Sequence, residues 1–340
     1  MSLNGPPGST APPGRLVPLT WLVVAVLVVG GVGIAGTAAY YAYTGNGPTH
    51  GNLTLTDDLG RQVTLPYDPS RVAVLGPSIM DSMYRLGLRS HVVGVDCFAT
   101  EFGGLSDDYS PDQVALWNLS SSMCIQVLPT FDYEALLSDT PQVVLAATVV
   151  SAASVAEITN IYHIPVVMLQ PPTLSGIEVD VSLLAQIFGV TSDADALNAQ
   201  LATELYNATE IVANSSSFPT VLVTYSVDAS GYWTFGPGTF GQSMIELAGA
   251  SSIAANATFQ YPELSGEQVL VANPQYIVYG TGFGYNESVY ATAPFWGQLT
   301  ATQNGNVVGI DSNWLTEADP TMILTGLPAL LTFFHPSTPY

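Results

Sequence analysis

Short apolar runs recur along most of the chain, separated by stretches with helical spacing. The runs Val72–Leu75, Val92–Val95, Val143–Ala146, Val166–Leu169, Thr220–Thr224, Tyr276–Tyr279 and Val307–Ile310 are rich in β-branched residues. They are continuous rather than alternating. A strand covered on one face alternates apolar and polar positions; a strand covered on both faces does not. The pattern therefore predicts β-α-β units around mainly parallel sheets.

One helical stretch is longer than the rest. Ser192 is placed as its N-cap, with Asp193 and Asp195 in the first turn, where side-chain oxygens satisfy exposed N–H groups. Leu197, Leu201, Leu205 and Ala208 follow on one face, and Ile211 or Val212 closes the stripe before the Asn214–Pro219 loop. The helix lies between two β/α blocks and is suited to join two lobes. An internal repeat supports two lobes. Residues 134–145 read EALLSDTPQVVL and residues 267–278 read EQVLVANPQYIV. Each predicts a helix opening on Glu, a turn at Pro and then a strand, which puts Glu134 and Glu267 in equivalent places.

Ahead of this pattern, Val17–Tyr43 is almost wholly apolar and has no polar face. About 20 such residues span the hydrocarbon core as a helix. Trp21 near one end, with Tyr40, Tyr41 and Tyr43 at the other, fits interfacial aromatics. The expected organisation is a disordered cytoplasmic tail (1–16), a transmembrane anchor (17–43) and a linker (44–51). A 52–190 lobe, a connecting helix over 191–214 and a 215–340 lobe follow. A cleaved signal peptide is the alternative to a retained anchor, although its apolar core is usually shorter. The folded part is expected outside the cytoplasm, at the cell membrane and as a monomer. Cys97 and Cys124 are the only cysteines and are expected to form a disulfide there. Sequons at Asn52, Asn118, Asn207, Asn214, Asn256 and Asn286 all follow the apolar segment and are candidate glycosylation sites.

Charge narrows the function classes. The net charge is −22, yet only 9% of residues are charged. There is no Lys, and the last of the five basic residues is Arg89. Nucleic-acid binding, which needs phosphate-neutralising cations, is excluded. So few charges beside many hydroxyl residues point to an acidic exterior. Gly280-Thr-Gly-Phe-Gly284 is not a dinucleotide fingerprint, and a Lys-bearing phosphate loop and a G-x-S-x-G elbow are both lacking. The four His are scattered, and two Cys without a His cluster do not make a metal site. An enzyme is not expected, nor is a cofactor.

Several segments, in order, carry a resemblance: Leu55-Thr-Asp-Asp-Leu-Gly-Arg-Gln-Val-Thr-Leu-Pro66, Pro69-Ser-Arg-Val-Ala-Val-Leu-Gly-Pro-Ser78, Leu86-Gly-Leu88 and Val92-Val-Gly-Val95. Asp132-Tyr-Glu134 with Pro141–Leu145, Leu264-Ser-Gly-Glu-Gln-Val-Leu270 and Asp311-Ser-Asn-Trp-Leu315 complete it. Over residues 53–336 the chain resembles the iron-siderophore/cobalamin family of substrate-binding proteins of ABC importers. The resemblance implies two Rossmann-like lobes joined by one long helix, with a metal chelate held between them. It also implies a permease and its ATPase as partners, with Glu134 and Glu267 docking onto permease arginines. The Asp96–Thr130 stretch is longer than the family's, and the lipid-attachment Cys common in such proteins is absent.

Ligands of open α/β sheets lie beyond the carboxyl ends of the strands. The loops there, with nearby aromatics, nominate Ser78, Phe98, Thr148, Trp233, Phe235, Tyr261, Phe283 and Trp314 as ligand-binding residues. Trp233 and Phe235 are read as part of a Gly-flanked turn. Aromatics with few cations favour a neutral or weakly charged chelate, such as a corrinoid or a hydroxamate-type ferric siderophore. A membrane-anchored surface interaction or adhesion glycoprotein is the alternative reading.

Overall fold

A computed structural model describes residues 51–98, 104–107, 109–215, 218–282 and 284–336. The chain divides into a unit 1–47 and a compact unit 48–340. The expected anchor, tail and most of the linker lie outside the described residues. Among the described residues, no helix is long and apolar enough to cross a membrane.

The first lobe holds a fully parallel five-stranded sheet. Its strands are β3 (Val72–Leu75), β4 (Val92–Phe98), β5 (Cys124–Leu128), β6 (Val143–Ala146) and β7 (Val166–Met168), in the order β5-β4-β3-β6-β7. An antiparallel hairpin, β1 (Asn52–Thr56) and β2 (Gln62–Pro66), precedes it. Asp57 at the hairpin turn ties it to the sheet: its carboxylate accepts from Arg61 Nε at 2.9 Å and from the Met168 N–H at 3.2 Å.

The second lobe repeats the plan with an antiparallel edge. Its strands are β8 (Thr220–Val227), β9 (Gly231–Thr234), β10 (Ser251–Ser252), β11 (Glu263–Ser265), β12 (Tyr276–Thr281) and β13 (Val307–Asp311). The order is β11-β9-β8-β12-β13, with β10 alongside the start of β8. All seven strands expected from the apolar runs are present. β4, β8, β12 and β13 extend beyond the apolar run, and β7 ends one residue sooner. The Gly-flanked turn is corrected: Gly231–Thr234 is a strand pairing antiparallel with β8. Glycine suits position 231 because a Cβ there would collide with the Leu264 carbonyl on β11.

The two lobes are joined by the helix Thr191–Ala213. Its N-cap is corrected by two positions. Val190, not Ser192, is the N-cap, and its carbonyl accepts from the Asp193 and Ala194 N–H groups. The apolar stripe is shared between two cores. Ala194, Leu197 and Leu201 pack into the first-lobe core, and Ala208 and Ile211 into the second. Leu205 touches both. The lobes also meet through the segment after β13, where Ile323, Ala318 and Leu324 pack against the first-lobe core.

Because Leu201 is fully buried on this helix, Leu201→Ala is expected to lower the unfolding free energy by about 3 kcal/mol. Urea denaturation followed by circular dichroism measures the change. A loss below about 0.5 kcal/mol would mean that the helix is not a packed part of the core.

Candidate functional site

The two repeat segments occupy equivalent places. The helices Tyr133–Ser138 and Gly266–Ala272 are capped by Asp132 and Ser265, whose side chains accept from the N–H three residues on. Glu134 and Glu267 are each the second residue of their helix, and both are exposed. The helices lead into β6 and β12, which hold the same place in their sheets, flanked by β3 and β7 or by β8 and β13. The helix N-termini favour carboxylates there, so the pair is compatible with simple helix stabilisation as well as docking.

The nominated ligand residues separate into distinct environments. Thr148 is exposed beyond β6, and Phe98 is half-buried at the end of β4. Tyr261 is 55% exposed, and its ring lies 6.2 Å from those of Tyr225 and Phe235. Trp233 is half-buried on β9, and its Nε1 donates to Asp228 at 3.3 Å. Trp314 is half-buried against the second-lobe core. Phe235 is only 2% exposed and belongs to that core. A surface role for it is corrected: its ring is a wall on which Tyr225 and Tyr261 rest. Phe283 lies outside the described residues. The strands expected to end at Val95 and Thr224 run further. β4 continues to Phe98 and β8 to Val227, because Asp96 pairs with Ile125 and Ser226 with Trp233 across the sheets.

Cys97 and Cys124 form a disulfide between β4 and β5, with Cα atoms 5.5 Å apart. It pins the long Asp96–Thr130 stretch to its own sheet. That stretch buries Tyr109 and Trp117 in the first-lobe core and reaches the second lobe, where Asn313 Nδ2 donates to Gln113 Oε1 at 3.1 Å. The sequon residues Asn52, Asn118, Asn214, Asn256 and Asn286 are exposed, and Asn207 is half-exposed.

The charged residues are distributed unevenly. Arg61 binds Asp57, and Arg71 donates to the Asp139 carbonyl and the Thr140 hydroxyl at 3.1 Å. Arg85 pairs with Asp81 at 2.8 Å and donates to Thr321 Oγ1 at 2.6 Å. Arg89 donates to the carbonyls of Trp117, Asn118 and Val92. Every described guanidinium is thus held by structural acceptors.

Carboxyls gather instead at the seam between the lobes. Asp96 is fully buried at the end of β4; its Oδ1 accepts from the Gly76 N–H at 2.9 Å and the Tyr109 hydroxyl at 2.5 Å. Burial pushes Asp96 up to about 6 against these hydrogen bonds. Desolvation and then the charge of Asp96 push Glu317, from the second half of the chain, up to about 7, against the opposing influence of Ser78. Asp319 is raised well above the ordinary range by burial and by the charge of Asp81. Asp180, raised by burial and by Asp58, lines a small cavity with Ser78, Ser82 and Ala318. Sequence reasoning missed this cluster. The available signal was that Asp96 and Glu317 are carboxylates flanked by apolar or uncharged residues in a charge-poor chain.

With this geometry established, the family model described as a periplasmic binding protein matches residues 72–314. The chain belongs to the periplasmic binding protein family. A protein of Halobacterium salinarum named "Cobalamin-binding protein" is 27% identical over 293 residues, covering 84% of this chain and 75% of its own. A "Vitamin B12-binding protein" of Pectobacterium atrosepticum is 25% identical, covering 75% of this chain and 85% of its own. Among solved structures, the molybdate periplasmic binding protein MolA of Haemophilus influenzae aligns with a TM-score of 0.68 at 21% identity, over 84% of this chain and 91% of that one. A periplasmic heme binding protein from Pseudomonas aeruginosa aligns with a TM-score of 0.67 at 21% identity, over 80% and 94%. At those identities the structures establish the two-lobed periplasmic binding protein fold. The relatives are binding proteins, consistent with a non-enzymatic chain.

Carboxyls whose folded pKa exceeds the unfolded value stabilise the fold below the unfolded pKa, and that stability is lost as pH rises through the folded pKa. Asp96, Glu317, Asp319 and Asp180 all act in this direction. Exposed Asp228, held at about 2 chiefly by the Ser230 hydroxyl, acts in the opposite direction, below the range concerned. The melting temperature is therefore expected to rise as pH falls from about 8 to about 5. Calorimetry across that range checks this, and a monotonic fall would contradict it.

Proposed function

We propose that this protein is the extracytoplasmic solute-binding component of an ABC importer and that its ligand is a neutral or weakly charged metal chelate, with a corrinoid first and a hydroxamate-type ferric siderophore second. The single observation carrying the ligand class is the state of the arginines. All four described guanidinium groups are held by structural partners, and the second lobe contains no basic residue. A multiply charged anion would find no free cation among the described residues, whereas a large uncharged ring gains from aromatic area and hydroxyl groups. Tyr261, with Tyr225 beside it, and Trp233 supply such area at the β8–β9–β11 side of the second lobe. The names of the cobalamin- and vitamin B12-binding relatives support the corrinoid. MolA binds molybdate, so the fold itself does not select the ligand.

In this reading Glu134 and Glu267 dock the two lobes onto permease arginines, which steers the encounter and fixes its register. Their equivalent, exposed placement supports the role. The anchor at Val17–Tyr43 would keep the protein near the permease, and the exposed sequons would carry glycans on the outer face.

Tryptophan-fluorescence titration of the purified protein with cyanocobalamin, ferrichrome, a ferric catecholate and molybdate tests the ligand class. Saturable binding of cyanocobalamin or ferrichrome is expected. Binding of only the catecholate or molybdate would overturn the reading. In the same system, E134R/E267R is expected to leave the titration unchanged and to reduce uptake at least tenfold.

A further inference from the structure

The lobes touch beside the connecting helix. Thr321 Oγ1 accepts from Arg85 at 2.6 Å, its N–H donates to Asp81 at 3.1 Å, and Leu324 lines a groove with Ala199 and Gln200 of that helix. A separate contact comes from the short helix Pro111–Leu116 in the long Asp96–Thr130 stretch. This helix is a stiff arm of the first lobe. Tyr109 before it and Trp117 and Leu119 after it are buried in the first-lobe core, and the rings of Tyr109 and Trp117 meet edge to face at 5.9 Å. Arg89 fixes the exit of the arm by donating to the Asn118 carbonyl at 2.7 Å. The Tyr109 hydroxyl fixes its entry by donating to Asp96 at 2.5 Å, next to the disulfide at Cys97.

Gln113 reaches the second lobe from this arm. Its Oε1 accepts from the Ser110 N–H at 2.8 Å, while its own N–H donates to Ser110 Oγ at 3.2 Å, a reciprocal capping arrangement. The cap settles which way the amide faces, because only its oxygen can accept from Ser110. The same oxygen accepts from Asn313 Nδ2 at 3.1 Å, 200 positions further along the chain. An amide oxygen has two lone pairs, and this one serves a donor from each lobe. The cap thus orders the Gln113 side chain before the second lobe arrives, so little rotamer freedom is left to lose when the contact forms. Asn313 is prepared in the same way. It is buried just beyond the carboxyl end of β13, its N–H donates to Asp311 Oδ1 at 3.0 Å, and its carbonyl accepts from the Glu317 N–H at 3.0 Å. Trp314, one of the nominated ligand residues, follows it directly. Strand-end turns of this kind are where ligands of open α/β sheets lie.

We propose that the helix Pro111–Leu116 is a latch between the lobes, in which Gln113 and Asn313 are positioning residues that hold the strand-end turn of the second lobe against the first. The latch rests on the two-lobed fold and not on the identity of the ligand. Parting of the lobes at the strand ends breaks the Gln113–Asn313 bond and leaves the cap at Ser110 intact. The arm then stays with the first lobe, its amide still facing the right way to re-form the contact. A neutral hydrogen bond is worth roughly fivefold in an equilibrium constant. That is enough to bias the lobes towards contact and too little to lock them.

Hydrogen–deuterium exchange followed by NMR on the ligand-free protein tests the latch, so its failure would leave the ligand reading intact. The reporter is the Glu317 N–H, which is bonded to the Asn313 carbonyl. Q113A and N313A are each expected to speed its exchange about fivefold. The double variant should speed it no more than either substitution alone, since both remove one bond. The N–H of Val278, buried in the second-lobe core on β12, should exchange as in the wild type. A capping role alone predicts a different pattern: Q113A would speed exchange at the Trp117 N–H, which donates to the Gln113 carbonyl, and leave Glu317 at the wild-type rate. That pattern, or effects of the two substitutions that multiply in the double variant, would overturn the proposal.

Discussion

Two hydrophobic cores share one helix. The stripe from Ala194 to Ile211 is buried in the first core at its start and in the second at its end, with Leu205 in contact with both. A helix held this way cannot turn or slide without exposing apolar side chains at one end. The lobes are therefore joined by a packed element rather than by flexible strands. Small adjustments at the seam are the motions that this joint leaves open. Such a scaffold suits capture of a rigid ligand between preformed surfaces, since little ordering accompanies binding.

The scarcity of charge gives the molecule its second character. With five basic residues and 27 acidic ones, cations are the limiting resource. The described arginines are all spent on fastening: the hairpin to β7, the first-lobe loops to one another, and the seam at Thr321. What remains for a ligand is aromatic and hydroxyl surface. What remains for the buried acids is protonation. The same imbalance underlies both the proposed uncharged chelate and the raised pKa values of the buried acids.

Much of the frame was legible in the sequence because parallel strands covered on both faces leave continuous apolar runs. All seven such runs are strands. The connecting helix was legible from its stripe, and the equivalence of Glu134 and Glu267 from the repeat. The strands that escaped notice carry weaker patterns. β9 and β11 contain Gly, Trp, Glu and Ser, and their existence depends on antiparallel pairing with β8 and each other. β5 is interrupted by Gln126 and depends on β4 and the disulfide. The site was only partly legible. Strand-end logic nominated Ser78 and Tyr261, which lie at a small cavity and in an aromatic group, but could not tell that Phe235 belongs to the second-lobe core, because an aromatic beside glycines reads the same in a turn as at the end of a strand. The effect of Asp96 on Glu317 was invisible, because the two carboxyls lie more than two hundred positions apart in the chain.

The central claim is that the ligand is held without charge pairing. The most direct measurement is the dissociation constant of cyanocobalamin by isothermal titration calorimetry at constant pH, across a range of ionic strength. Binding by aromatic and hydroxyl surface predicts saturable binding whose affinity changes less than twofold between about 0.05 and 0.5 M salt. A tenfold or greater loss of affinity with salt would show that charge holds the ligand, and an absence of binding would show that the chelate is a different one; either result contradicts the account.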